Sequence, residues 1–337
     1  MKEQDIMSEE TEEHRAAPRG LVLAAFAAIY LIWGSTYLAI RFAVETIPPC
    51  LLGGARFLLA GGVLYAWLRL KGVPISAGFH WRNAAVVGVL LLGFGNGGVN
   101  WAEQNVPSGL TALIIAVTPV WFALLDWLRP RGTRPSLQTV IGIVVGFAGV
   151  ALLVGGPEIF RKNAIHPAGV AALMVASVAW ASGSLYARYT PKPDSPLMAG
   201  AMQMLTGGGV LLITGILWGE TGRFDLPQVS ARSAWAFAYL AVIGSLVGFT
   251  AFSWLLKVST PARISTYAYV NPVIAVFLGW AIGGETLSAR MMWAAAVIVL
   301  GVVIITTRRT PLSASAEETE KVGTIEVPGD RNTAGTR

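Results

Sequence analysis

The chain is built from long apolar runs joined by short polar connections. Runs free of Asp, Glu, Lys and Arg fall at roughly 20–40, 83–102, 107–125, 136–157, 167–187, 195–219, 233–256, 264–284 and 291–307, and a tenth, about 46–68, is interrupted only by Arg56. About 20 apolar residues are enough for a helix to cross the hydrocarbon core of a bilayer. None of the runs alternates apolar and polar positions as a barrel strand does. With no water in the lipid to satisfy backbone N–H and C=O groups, a helix is the remaining way through. The pattern predicts an all-α membrane protein with ten transmembrane helices.

Composition agrees: 54% of the 337 residues are hydrophobic, 13% are charged, and the mean hydropathy is +0.59. A soluble protein of this length needs more charge to cover its surface. The net charge of +6 is not a nucleic-acid footprint, because the acidic residues gather in the tails and the basic ones at the ends of apolar runs. If the N-terminus is cytoplasmic, fourteen of the Lys and Arg that lie between or beside the spans are on the cytoplasmic side and six on the other. That asymmetry places both termini inside a bacterial inner membrane. The polar, acidic stretch 1–18 is expected to be a disordered cytoplasmic tail rather than a signal peptide, and 310–337 a second disordered tail.

Internal repetition divides the rest. At an offset of 147, Trp33-Gly34-Ser35 falls on Trp180-Ala181-Ser182 and Arg41 on Arg188. At 146, Leu59-Ala60-Gly61-Gly62 meets Leu205-Thr206-Gly207-Gly208. At 153, Trp101 meets Trp254, Val117-Thr118-Pro119-Val120 meets Val270-Asn271-Pro272-Val273, and Trp127 meets Trp280. Two repeats are expected, 19–157 and 158–309, each of five helices. Five is odd, so the second copy enters the membrane from the opposite face. Such inverted repeats are a common transporter architecture, with the substrate near the midplane between the halves.

Several of these segments resemble a known group. Leu31-Ile32-Trp33-Gly34-Ser35-Thr36, Arg56-Phe57, the run from Asn100-Trp101-Ala102-Glu103-Gln104 to Thr118-Pro119, Asn271-Pro272 and Gly284-Glu285-Thr286-Leu287-Ser288 are similar to the drug/metabolite transporter superfamily, in its ten-span branch with two EamA domains. The resemblance covers roughly residues 20–307. It implies export of amino acids or similar metabolites, with some relatives handling toxic compounds. Where relatives carry an acidic-plus-basic pair after the fourth span, this chain has Arg131-Gly132-Thr133, so a role for Glu285 is not doubled in the first half.

Candidate substrate-binding residues follow from depth and polarity. Trp33 and Trp180 lie near mid-membrane on repeat-related helices, away from the interface belt that tryptophan prefers. They line a cavity or pack between helices. Ser35, Thr36 and Ser182 beside them bond a substrate or their own helices. Asn96 and Asn100 sit in a glycine-rich stretch with Gly97 and Gly98, where amides need partners and where the helix has room to flex. Trp101 follows at the end of the same span. Pro119 and Pro272 stand near the centres of the fourth and ninth spans, and each deprives a carbonyl, that of Ile115 or Ala268, of its usual donor. Kinks at matching places point to a binding site, with Thr118, Tyr267 and Asn271 beside them. Arg56, the one charge well inside a span, clamps a carboxylate or bonds loop carbonyls.

Other classes find little support. One cysteine, Cys50, and three scattered histidines make no metal-ligand pattern, and no metal or cofactor is expected. A membrane enzyme would need a nucleophile, a metal cluster or paired carboxylates within the spans. No P-loop is present for driving transport with ATP. A channel-like facilitator stays open as an alternative to a carrier. The lack of a mid-span carboxylate points to a facilitator or exchanger, with Glu103, Asp126, Lys257 and Glu285 at helix ends as caps or salt-bridge members, while coupling through Glu103 or Asp126 stays open. The expected partners are the bilayer and a small molecule, not nucleic acid. Monomer and weak homodimer both stay open, since Gly142-x-x-x-Gly146 and Gly244-x-x-x-Gly248 permit a close helix contact.

Overall fold

The computed structural model describes residues 18–130, 134–154, 166–259 and 266–306. Arg131-Gly132-Thr133 and the stretches 1–17 and 310–337 lie outside the described residues. Among the described residues ten apolar helices follow one another: α1 Arg19–Ala43, α2 Pro49–Leu70, α3 Gly78–Ala102, α4 Ser108–Leu128, α5 Leu137–Val154, α6 Pro167–Tyr189, α7 Pro196–Leu217, α8 Ala231–Leu255, α9 Tyr267–Ala281 and α10 Ala289–Thr306. Seven are 21–25 residues long and apolar enough to span a membrane; α5, α9 and α10 are shorter. Among the described residues there is no strand.

The ends of these helices are written in the sequence. Pro49, Pro167 and Pro196 open α2, α6 and α7, where a missing N–H removes no helical bond. Ser195 and Ser230 cap α7 and α8 by accepting from the N–H groups of Met198 and Ser233 at 3.3 and 3.1 Å. Large apolar side chains such as Leu31, Leu59, Trp67, Leu217 and Trp293 stay exposed, as a lipid-facing surface requires.

Packing repeats the sequence symmetry. α2 lies on α7, α5 on α10 and α4 on α9. α1 packs on α8 and α9, and α6 packs on α3 and α4. α3 meets α7, and α2 meets α8. Exchanging each helix for the one five places away maps this set of contacts onto itself. The fold is thus two five-helix repeats that interdigitate.

Small residues set how closely they do so. A Cβ added at Gly301 of α10 would lie 2.6 Å from the Gly146 nitrogen and 2.9 Å from the Gly142 oxygen of α5. Gly244 faces Thr36 and Arg56, and Gly248 faces Trp33. The close helix contacts that both glycine pairs permit are therefore made inside the molecule. We expect Gly301→Ala to cost about 1–3 kcal/mol, because backbone rather than a movable side chain blocks the methyl. Gly62→Ala, with nothing within 4 Å, should be neutral. Parallel unfolding titrations in detergent measure the difference.

Candidate functional site

The third helix of each repeat departs from α geometry at the same place. α3 is π-helical over Val89–Asn96 and α8 over Leu240–Val247, segments that superpose at an offset of 151. A π stretch widens the turn, lengthens the path of each backbone bond and is frequent at functional sites. The glycines around Asn96 pointed to such a segment in α3. Its twin in α8 carries only Gly244 and was missed.

Trp180 packs on the first of these stretches and Trp33 on the residue that directly follows the second. Trp33 of α1 sits against Gly248, where an added Cβ would be 2.6 Å from the indole nitrogen. Trp180 of α6 sits against Gly95, where an added Cβ would be 3.0 Å from the ring. Gly95 and Gly248 correspond at the offset of 153 that also aligns Trp101 with Trp254, so the repeat pairs the two contacts, although the π stretches themselves align at 151. Around Trp33 the rings of Phe252, Tyr267 and Phe249 stand 5.1, 5.2 and 6.1 Å away. Tilted and edge-on rings at such distances make a firm wall that also presents aromatic faces. Sequence reasoning named Trp33 and Tyr267 but not Phe249 or Phe252, which look like ordinary span residues.

The hydroxyls beside them are engaged. Ser35 donates to its own helix at Leu31 and Ile32 and meets the Tyr239 hydroxyl at 2.6 Å. Thr36 donates to the Trp33 carbonyl at 2.7 Å and Ser182 to Val178 at 2.8 Å. Their oxygens can still accept, but their protons are committed to backbone. Thr118 donates to the Ile115 carbonyl at 2.6 Å, the group Pro119 was expected to leave free. At Pro119 the helix is interrupted between Ile115 and Thr118, and the hydroxyl closes the gap. Pro272 lies inside α9.

The amides divide. Asn100 is fully buried and donates to the Pro49 carbonyl at 3.2 Å, tying α3 to α2. Asn96, Asn271 and Asn100 itself each keep a buried side-chain oxygen with no hydrogen-bond partner, on α3 and α9. Gly97 packs on Leu211 of α7 and Gly98 on Ala176 of α6, so the stretch after the π turn is tightly held rather than loose. Trp101 belongs elsewhere. With Glu45, Gln104, Trp218 and Arg223 it lines an open cavity of about 420 Å³ at one end of the helices.

Arg56 is buried in α2 and reaches α8. Its Nε donates to the Ser245 hydroxyl at 3.0 Å, and Ser245 donates to the Leu240 carbonyl five residues back, across the π turn. The guanidinium also sits 4.7 Å from the Phe57 ring centre, while one terminal nitrogen has no hydrogen-bond partner. Loop carbonyls, one of the two roles considered for it, are not what it bonds. Ser245 gave no signal in the sequence, since a lone serine in an apolar run usually bonds its own helix.

The end of the molecule that holds this cavity is fastened by polar contacts across the helices. Glu220 accepts from the Cys50 and Leu51 N–H groups at 3.0 and 2.9 Å, at the start of α2. Glu285 accepts from the Ser108 N–H, the Ser108 hydroxyl and the Gly109 N–H at 2.6, 2.7 and 3.0 Å, at the start of α4. Both are carboxylates on helix N-termini, where orphan donors and the helix dipole favour them. Arg41 donates to the Glu103 and Gln104 carbonyls, Ser233 to the Phe42 carbonyl, and Arg232 pairs with Glu45 at 2.6 Å. Glu285 was read correctly as a cap. Glu103 was read as an interfacial cap or salt-bridge member, and that reading fails. Its side chain has no exposure, and neither carboxyl oxygen has a hydrogen-bond partner. At the opposite end, Asp126 pairs with Arg129 at 3.3 Å.

Known proteins share this organisation. The model of the EamA-like transporter family matches twice, over 18–155 and 167–307. The uncharacterized inner membrane transporter YedA of Escherichia coli K12 is 41% identical over 286 residues, covering 85% of this chain and 90% of its own. Protein PecM of Dickeya dadantii is 28% identical over 280 residues, covering 81% and 88%. A crystal structure agrees in fold at a TM-score of 0.59 and 22% identity, covering 86% of this chain and 98% of its own. With two family matches across nearly the whole helical region and a relative this similar, the chain belongs to the EamA-like transporter family.

Proposed function

We propose that the chain exports small metabolites, amino acids or related neutral and zwitterionic compounds with apolar parts, by alternating access. The observation that carries this reading is the pair of repeat-related contacts, Trp180 on Gly95 and Trp33 on Gly248, the first within and the second directly after a π-helical stretch in the third helix of a repeat. A carrier must open one end while closing the other, and two repeats of one design give two such arrangements. The π stretches are where α3 and α8 change pitch at least cost, and the indoles bear on them or directly beside them. Aromatic faces at Trp33 and Tyr267, the bare amide oxygens of Asn96 and Asn271, and the buried cation Arg56 suit a molecule with an apolar body and a small polar head. With both termini cytoplasmic, as the charge distribution favours, the fastened end faces outward. That fastening favours a carrier over an open pore.

The test is flux in proteoliposomes across a panel of amino acids and neutral metabolites. Trp33→Ala and Trp180→Ala should each lower transport about tenfold, in line with the loss of one to two aromatic contacts, without losing the fold by circular dichroism. Preloaded substrate should accelerate uptake. Normal flux in both folded variants removes the tryptophans from the pathway, and a lack of trans-acceleration removes alternating access.

A further inference from the structure

We propose that Glu103 is a proton-binding site whose occupancy is linked to the closing of the fastened end: the carboxyl takes up a proton as this end closes and returns it to solvent as the end opens. The proposal rests on the reading of the chain as an alternating-access carrier.

The geometry is that of a buried carboxyl whose charge is only partly balanced, by Arg41 of α1. Glu103 directly follows α3 and is wholly buried, with both oxygens lacking a hydrogen-bond partner. It is not among the ion pairs of the described residues. Three ionisable groups act on or with it. From α1, Arg41 spends its guanidinium on main-chain carbonyls, that of Glu103 itself at 2.6 Å included, and the Tyr37 phenol interacts with the carboxyl. From the α9–α10 connection comes Glu285, a second carboxylate, already held by the start of α4.

An ionised carboxylate without a donor is costly to bury, whereas the neutral acid is tolerated. Burial accordingly holds the Glu103 carboxyl well above the usual carboxylate range, with Glu285 adding to the rise and Arg41 opposing it. The sign of the linkage follows. The closed end binds the proton more tightly than an opened, hydrated one. Falling pH therefore favours closure, and rising pH favours opening. The proton leaves to the compartment it came from, so a pH gradient alone drives no net flux. A neighbour that spends its own charge elsewhere, as Arg41 does, is what separates this carboxyl from Glu220 and Glu285, which are saturated by donors.

Two readouts on the full chain in lipid test this without any substrate. Infrared difference spectra at neutral pH should hold a protonated-carboxyl C=O band that disappears in Glu103→Gln and moves in Glu103→Asp. Cys50, buried at the fastened end under Glu220, reports opening through its alkylation by a maleimide, corrected by the unfolded chain at the same pH. The corrected rate should rise with pH, by up to about tenfold per unit where one proton is linked, and be flat in Glu103→Gln. A neutral-pH band that survives in Glu103→Gln, or an identical pH dependence in that variant, overturns the proposal. If Glu103→Gln does not fold, an unmoved band in Glu103→Asp does the same. Absence of flux for every substrate would instead count against the carrier reading, because neither readout depends on it.

Discussion

Replacing Glu285 by alanine should destabilise the protein by about 3 kcal/mol, measured by reversible unfolding in mixed micelles. Its carboxylate takes three hydrogen bonds at the first turn of α4, two from backbone N–H groups and one from a hydroxyl. Hydrogen bonds to a charged acceptor contribute about 1.5–3 kcal/mol each before losses, and a lost N-terminal cap alone costs about 0.5–2 kcal/mol. Glu285 is partly exposed, which trims the total, but Ser108 is wholly buried and would keep an unpaired hydroxyl. Glu285→Gln should cost somewhat less, because the amide oxygen can still accept at one side while its NH2, a donor, loses the bond at the other along with the charge. An unchanged stability in Glu285→Ala would mean that water replaces the carboxylate at α4.

Arg56→Lys should lower transport by about ten- to a hundredfold while leaving most of the fold intact. The guanidinium does two things at once: its Nε reaches Ser245 in the π stretch of α8 and its plane lies near the Phe57 ring. An ammonium on a flexible stem cannot hold both positions, and hydrogen bonds of a charged group are worth about 1.5–3 kcal/mol. If α2 grips α8 through this contact, weakening it changes how the π stretch moves. Arg56→Ala should be worse, adding a cavity beside Phe57 and leaving Ser245 without its partner. Flux in proteoliposomes, read beside unfolding of the same samples, separates the two effects. Wild-type flux in Arg56→Lys would assign the residue to packing alone.

These two residues illustrate where sequence reading succeeds and stops. The depth of Arg56 and the helix-end position of Glu285 were legible, because a charge in an apolar run and a charge just outside one are one-dimensional facts. Their partners were not, since Ser245 and Ser108 lie 189 and 177 residues away in the chain. Glu103 shows the opposite failure. Position alone made it a residue at the end of a span, and only the packing of α1 and the α9–α10 connection against it determines that it is wholly buried.

The candidate site follows the same division. Trp33 and Trp180 were paired by the repeat, but Gly95 and Gly248 became their counterparts only when α6 met α3 and α1 met α8. The expected free carbonyl at Ile115 was a local inference about proline that a neighbouring hydroxyl overrode.

By itself the sequence determined the solvent this protein folds in, the number of its helices and their division into two opposed repeats. Those depend on apolar length, charge placement and internal similarity, which are properties of the chain read in order. Which polar groups are satisfied, which glycines are consumed in helix contacts and which carboxyl is sealed from water were decided by tertiary structure alone. In lipid a buried donor or acceptor is settled by whatever a distant helix brings to it, and no window of sequence contains both partners.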